Sequence, residues 1–310
     1  MSALTVLASL SLMSTPFQRG SLWSTVVART EHALACGALR PIDTVQTVID
    51  DGGVSFVVRQ VSSLSFKPPL EAAMPRPFVD PFLPYDPDLF IADVSGTHVA
   101  LLNKFNVLDH HLLIVTRAFE PQDALITLAD FDAWLACLGE FDALGFYNGG
   151  REAGASQPHK HMQIVPMPLG DRGQPLPIGP LIEAASLDGP VGMLPRLPFE
   201  HAFAWLAPVP PEQAAMQALD CYHRLLDAAG VRAAPVMGQL HHSTPYNLLL
   251  TPRWMLLVPR SAEGAEGVSI NSLGFAGSLF VKNAEQRDAL QRIGPMTILS
   301  RVSLPRRAIA

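Results

Sequence analysis

The sequence predicts an α+β fold built on an antiparallel sheet with flanking helices, and three observations predict it. Strand-like runs come in neighbouring pairs, residues 98–105 with 111–116 and residues 247–251 with 254–258, each joined by a short connection that suits antiparallel pairing. Helical periodicity falls between these pairs and not after each strand, so the βαβ rhythm of a parallel sheet is absent. Hydrophobic residues make up 48% of the 310 residues and charged ones 16%, enough apolar surface for one large or two ordinary domains.

In chain order, the first 50 residues carry weak helical signals, and a mixed alanine and charged stretch over residues 29–39 stops before Pro41, which cannot continue a helix. Val54–Val61 is β-branched and predicts a strand. Residues 68–87 are crowded with proline and predict a loop. Pro121 is placed to open a helix in which Leu128, Phe131, Leu135 and Leu138 form one buried stripe, although Gly139 and Gly145 fit that helix badly. A Gly/Ala/Ser turn and a strand carrying residues 159–163 follow. Prolines and glycines are dense over residues 166–198, which predicts a connection or extended arm. Residues 212–229 form the clearest helix, with Ala215, Leu219, Tyr222 and Leu226 on one stripe and Gly230 as its stop. Thr251-Pro252-Arg253 is the expected turn of the last strand pair, and no internal repeat is visible.

A formal net charge of −6 offers no broad basic face and argues against a nucleic-acid binder. Cys36, Cys137 and Cys221 are far apart and odd in number, which suits neither a disulfide framework nor a zinc site and favours a reducing cytoplasm. The apolar start of the chain lacks a basic region before it, so no signal peptide is expected, and no apolar run reaches membrane-spanning length.

Chemistry concentrates in Gly154-Ala155-Ser156-Gln157-Pro158-His159-Lys160-His161-Met162-Gln163. On a strand, His159, His161 and Gln163 share one face, and Lys160 and Met162 the other. The turn before them can point backbone N–H groups at an anion. A neutral imidazole attacks phosphorus without first losing a proton, so nucleophile and cradle together point to phosphorus-group transfer. His-x-His is also a metal-ligand spacing, and a purely structural pair has the same pattern. Neither His110-His111 nor His241-His242 is a chelating pair, because adjacent strand residues face opposite ways; both are read as core or surface histidines.

These residues resemble the active-site strand of the histidine triad superfamily, in the branch where glutamine takes the third histidine position. Within it the chain is similar to the ATP adenylyltransferases, or diadenosine tetraphosphate phosphorylases. Further blocks match in order: Leu102-Asn103-Lys104-Phe105 with Val107-Leu108-Asp109, Phe146-Tyr147-Asn148, Tyr246-Asn247-Leu248-Leu249, and residues 270–277. The resemblance implies a histidine-triad-like catalytic portion over residues 1–165, the connection at 166–198, and a portion over 199–310 that completes a nucleotide and polyphosphate cleft. It implies His161 as the nucleophile that carries AMP, His159 as its orienting partner, and Gln163 as a ligand of phosphate oxygen. Asn148, Gly154, Ala155, Ser156 and Gln157 match the phosphate loop, and Asn103 and Lys104 the nucleotide-contacting pair. Lys67, Asn271, Ser272, Leu273, Ser278 and Lys282 match positions that contact nucleotide or phosphate; Lys67 and Lys282 equally fit solvated surface lysines.

The expected reaction is phosphorolysis of diadenosine tetraphosphate to ATP and ADP, and its reverse. No tightly bound cofactor or resident metal is expected, a divalent cation accompanying the nucleotide is compatible, and the partners are small molecules, with no nucleic acid or membrane. The rival readings are a nucleotide-sugar phosphorylase acting on a GDP-hexose, and a nucleotide sensor without turnover.

Overall fold

The computed structural model describes residues 18–62, 79–170 and 174–307. Helix α1 (Leu22–Cys36) opens it and ends at Gly37, whose φ of 77° makes a left-handed cap. Strands β1 (Thr44–Asp51) and β2 (Val54–Val61) form a hairpin. Then come β3 (Phe90–Asp93), β4 (His98–Leu102) and β5 (Leu112–Thr116), helix α2 (Leu128–Leu138), β6 (Ala143–Gly149) and β7 (His161–Pro166). Helix α3 (Gly179–Glu183), β8 (Ala202–Trp205) and α4 (Pro211–Ala229) follow, then the hairpin of β9 (Ala233–Val236) with β10 (Gln239–His242). Strands β11 (Tyr246–Thr251) and β12 (Trp254–Pro259), the small pair β13 (Gly264–Ala265) and β14 (Val268–Ser269), α5 (Ser272–Phe275), β15 (Ser278–Val281), α6 (Ala284–Ile293) and α7 (Pro295–Val302) complete it. Among the described residues, no helix is long and apolar enough to cross a membrane.

One eight-stranded antiparallel sheet dominates, in the order β3-β4-β5-β7-β6-β11-β12-β8. It is the α+β arrangement expected, and it takes strands from before and after residues 166–198. A second sheet, β1-β2-β15, pairs β15 parallel to β2 and so brings residues 278–281 against 57–60. One face of the large sheet packs on α1, α2 and α4 through a core that includes Phe131, Trp134, Tyr147, Met162, Ile164 and Tyr222. The opposite face carries two separate clusters. The larger joins Phe146, Val165, Leu249 and Val258 to β2, α5, α7 and the 169–197 segment. The smaller is Val99, Leu101, Leu113 and Val115 under Phe82, Tyr85 and Phe90.

Several local expectations hold in outline and shift in detail. Helix α2 starts at Leu128, not at Pro121, because Thr127 and Asp130 make a reciprocal capping box. Its buried face is Phe131, Trp134, Cys137 and Leu138, whereas Leu128 is 41% exposed. Gly139 is its cap, and Gly145 belongs to β6, where a side chain would come within 3.0 Å of the Trp134 ring. Glycine there lets the largest side chain of the helix lie flat on the sheet. Segment 166–198 is no free arm: it holds α3 and buries Leu169, Leu176, Ile178, Leu181, Ile182, Leu194 and Leu197.

Candidate active site

Strand β7 lies near the middle of the large sheet and begins at His161, not at His159; Met162 points to the helical face, and Lys160, just before the strand, reaches Asp130 on the same side. Lys160 is fully buried there, donating to Glu120 at 3.0 Å, Asp130 at 2.8 Å and the Leu125 carbonyl at 2.9 Å. Asp130 also accepts from His98 at 2.9 Å. Burial alone would raise this carboxyl, but His98 and Lys160 outweigh it and hold its pKa at about 2. The ion cluster pins the back of β7 to the start of α2, so the catalytic face is set by groups behind it.

On the front face His161 is 4% exposed and its ring Nδ1 lies 2.8 Å from the carbonyl oxygen of His159. A carbonyl only accepts, so Nδ1 carries the proton and Nε2 holds the free lone pair. Burial pushes the His161 pKa down to about 4, and the ring is neutral near pH 7. His161 faces a cavity of about 460 Å³ whose walls include Phe82, Leu101, Leu113, Ser156, Gln157 and Gln163. His159 itself is fully buried; its Nδ1 donates to Asp80 at 2.8 Å and its Nε2 faces the Thr116 hydroxyl at 2.9 Å. Burial tends to raise the Asp80 carboxyl, but the hydrogen bond from His159 and the neighbouring backbone N–H groups hold it below the usual range. His159 thus touches His161 through its backbone, and its ring is the anchor of that backbone.

Gln163 is oriented by a chain of side chains. Asn103 Nδ2 donates to His111 Nδ1 at 3.1 Å, which leaves the His111 proton on Nε2, 3.0 Å from Gln163 Oε1. With its oxygen engaged, Gln163 turns its NH₂ to the cavity, the polarity an anion requires. Burial holds the His111 pKa near 4, so the relay carries no charge at neutral pH. His111 therefore belongs to the site, not to the undifferentiated core. Lys104 forms a 3.7 Å ion pair with Asp86, and both line the same cavity with Asn103.

The glycine turn forms as a short 3₁₀ turn, Arg151–Ala153, closed by Gly154 at φ 85°. A side chain at Gly154 would meet the Ile270 carbonyl at 2.7 Å, so the turn lies directly on the segment leading into α5. The N–H groups of Gly154 and Ala155 bond back to Arg151 and Gly150, which corrects the expectation that the whole turn is free. Those of Ser156 and Gln157 have no partner among the described residues, and both residues line the cavity.

Gln122 fills the gap where β6 and β7 part. Its Oε1 accepts from the His161 N–H at 2.9 Å, and its Nε2 donates to the Asn148 carbonyl at 2.9 Å. Asn148 lies on the same face as Gln163, since Phe146 pairs with Gln163 two residues away. Its Oδ1 accepts from Asn247 Nδ2 at 3.0 Å, the Ser272 N–H at 2.9 Å and the Ser272 hydroxyl at 2.7 Å. Its Nδ2 has no partner among the described residues.

The other expected site residues that the structure describes lie outside the walls of the His161 cavity. Asn271 caps α5 by accepting from the Leu273 N–H at 3.0 Å, and Leu273 itself is core. Ser272 is fully buried inside the Asn148 network. Ser278 is fully buried under Arg59, which donates to its hydroxyl at 2.5 Å. Neither Ser278 nor the exposed Lys282 lines the His161 cavity, because β15 pairs with β2 in the second sheet. Lys67 falls outside the described residues. The one group of three His, Cys, Asp or Glu with ligand atoms close together among the described residues is His32, Cys36 and Asp88, outside the cavity walls. Neither His159 nor His161 belongs to such a group among the described residues, and the Nε2 of His159 faces the Thr116 hydroxyl at 2.9 Å. Sequence reasoning missed Asp80, Gln122 and His111. Of these, only His111 fell in an expected element, the strand over residues 111–116, and its pairing with β7 appears only in the structure.

A neutral imidazole with a free Nε2, amide donors on two sides and an apolar wall define a nucleophilic group-transfer site. Residues 13–184 match the family model described as Ap4A phosphorylase N-terminal domain, and residues 195–305 match the ATP adenylyltransferase C-terminal domain. The chain belongs to the Ap4A phosphorylase family. It is 29% identical over 261 residues to diadenosine 5′,5‴-P1,P4-tetraphosphate phosphorylase 2 of Saccharomyces cerevisiae, covering 74% of this chain and 76% of that protein. It is 28% identical to Protein APA1 of the same yeast over 309 residues, 88% of this chain and 89% of the relative. The crystal structure of yeast Ap4A phosphorylase Apa2 superposes with a TM-score of 0.75 at 24% identity, over 96% of this chain and all of that one. The Apa2 complex with Ap4A gives 0.75 at 23%.

Proposed function

We propose that this chain is a nucleotidyltransferase that cleaves diadenosine tetraphosphate with inorganic phosphate, giving ATP and ADP, and that runs the reverse adenylyl transfer. The observation that carries the reading is the fixed tautomer of His161, whose free Nε2 faces a cavity shared with Gln163 and the Ser156–Gln157 N–H groups. Family membership and the two yeast relatives support the substrate class.

The His161 Nε2 lone pair forms a bond to an α-phosphorus as the P–O bond to the departing ATP breaks. The Gln163 amide and the loop N–H groups meet the charge that builds on the non-bridging oxygens. The resulting AMP–imidazole carries positive charge, which the His159 carbonyl stabilises through Nδ1–H. A phosphate oxygen then attacks the same phosphorus, the N–P bond breaks, ADP forms and His161 returns neutral. Gln163 offers water no basic atom, whereas phosphate is already anionic and needs none. The adenosine lies against the wall of Leu101, Leu113 and Tyr85, with Asn103 and Lys104 at its edge. The portion after residue 198 supports the cleft from behind, through Asn247 and Ser272 on Asn148. The ligands are small nucleotides, and the three free cysteines fit an enzyme of the reducing cytoplasm.

Product analysis tests this. Cleavage of diadenosine tetraphosphate is expected to require added phosphate and to release ATP and ADP in equal amounts, with no ¹⁸O from labelled water at either α-phosphorus. AMP and ATP appearing at a comparable rate without phosphate would identify a hydrolase instead.

A further inference from the structure

The residue behind Asn148 is itself backed by a buried cation. Arg260 at the end of β12 is 1% exposed, and the structure gives its guanidinium no carboxylate partner among the described residues. Its Nη1 donates to Asn247 Oδ1, and its other nitrogens donate to the carbonyls of Val302 at 3.0 Å, Ala262 at 2.7 Å and Glu263 at 3.1 Å. Burial lowers its pKa to about 10, which leaves it charged at neutral pH. Arginine has donors only, so the atom of Asn247 that faces it must be the oxygen. The NH₂ of Asn247 then points away, to Asn148 Oδ1 at 3.0 Å and the Ala153 carbonyl at 2.8 Å. Asn148 in turn has its oxygen occupied and its Nδ2 unpartnered among the described residues.

We infer that Arg260 and Asn247 are positioning residues for the transferred phosphate: the buried cation sets the polarity of two amides in series, so that Asn148 presents a donor to the anion, while Asn247 holds the phosphate loop at Ala153. The inference rests on the proposed function and extends it to residues that touch no substrate. Serial polarisation in a low-dielectric interior strengthens the last donor. The cost of leaving a buried guanidinium without a carboxylate is met by the carbonyl cage and by Asn247.

Replacing Arg260 would empty that cage, so the test is made at Asn247. Asn247→Asp is nearly isosteric and pairs with Arg260, but it sets a second acceptor against Asn148 Oδ1 and the Ala153 carbonyl. Asn247→Ala removes the donor without adding an acceptor. Equilibrium binding of AMP and of adenosine is measured for both variants and wild type, with melting temperature as the check on folding. The relay predicts that AMP affinity falls roughly tenfold or more in the Asp variant and less in the Ala variant, while adenosine affinity stays within about twofold. A packing role predicts the opposite order, with the cavity-forming Ala variant worse and both ligands weakened alike. That order, or unchanged AMP binding in both variants, overturns the relay. If the Asp variant does not fold, the AMP-against-adenosine split in the Ala variant decides alone. Failure of the wild-type protein to bind AMP at all would count against the proposed function and so also against the relay that rests on it.

Discussion

The carbonyl oxygen of His159 lies 2.8 Å from Nδ1 of His161, so the backbone of one motif histidine fixes the tautomer of the other. The side chain of His159 acts one step further back, held between Asp80 and Thr116. The i, i+2 spacing therefore does more than place two rings on one face. It puts the carbonyl of the first within reach of the ring of the second.

The acid limb of the first half-reaction follows from this burial. Desolvation lowers the His161 pKa from 6.5 to about 4, so the nucleophile stays unprotonated through the mildly acidic range. Single-turnover formation of the AMP–enzyme from ATP is expected to hold its rate from pH 7 to about 5 and to fall near pH 4. A midpoint at 6 to 7 would show an unperturbed histidine.

Gln163→Glu tests the polarity of the amide. The carboxylate still accepts from His111, so the melting temperature is expected to change little. The donor to the phosphate becomes a repulsive anion, and kcat/KM is expected to fall by on the order of 100-fold or more. Near-normal turnover would show that Gln163 does not contact the transferred group.

Gly154→Ala tests the turn. The residue sits at φ 85° and a Cβ would meet the Ile270 carbonyl at 2.7 Å. Backbone strain of about 1–2 kcal/mol and displacement of Ser156 and Gln157 are expected to lower both stability and phosphate-dependent turnover. Wild-type kinetics and stability would mean that the loop tolerates the shift.

Asp130 governs acid stability. Its pKa falls from 3.8 unfolded to about 2 folded, so its contribution is complete above the unfolded value and is lost as pH drops through the folded one. That contribution is on the order of 2 kcal/mol. Asp130→Asn is expected to lower unfolding free energy by at least that amount at pH 7, with the gap to wild type closing between pH 4 and 2. A gap independent of pH over that window would assign the loss to packing.

Much of this was legible in local pattern. Val54–Val61 is a strand with the expected bounds, and Gly230 ends α4 as a left-handed cap. Those features depend on backbone preference and side-chain alternation within a few residues. Helix α2 begins later than Pro121 suggests because the reciprocal cap of Thr127 and Asp130 fixes its first turn. Asp80, Gln122 and His111 were not legible as site residues: their roles are fixed by pairing across the sheet and by a loop folding over it, at separations of 39 to 79 residues. Ser278 and Lys282 lie outside the walls of the His161 cavity, because β15, which sets their place, pairs in parallel with β2 in the second sheet.

The most direct measurement is of the covalent step. The full-length protein is incubated with α-³²P-labelled ATP, quenched in base and digested, and the labelled peptide is sequenced by mass spectrometry. The account predicts AMP on His161, stable to base and released by acid, with both label and turnover absent in His161→Ala while its melting temperature stays close to wild type. Turnover that survives in that variant, or AMP carried on any other residue, would contradict it.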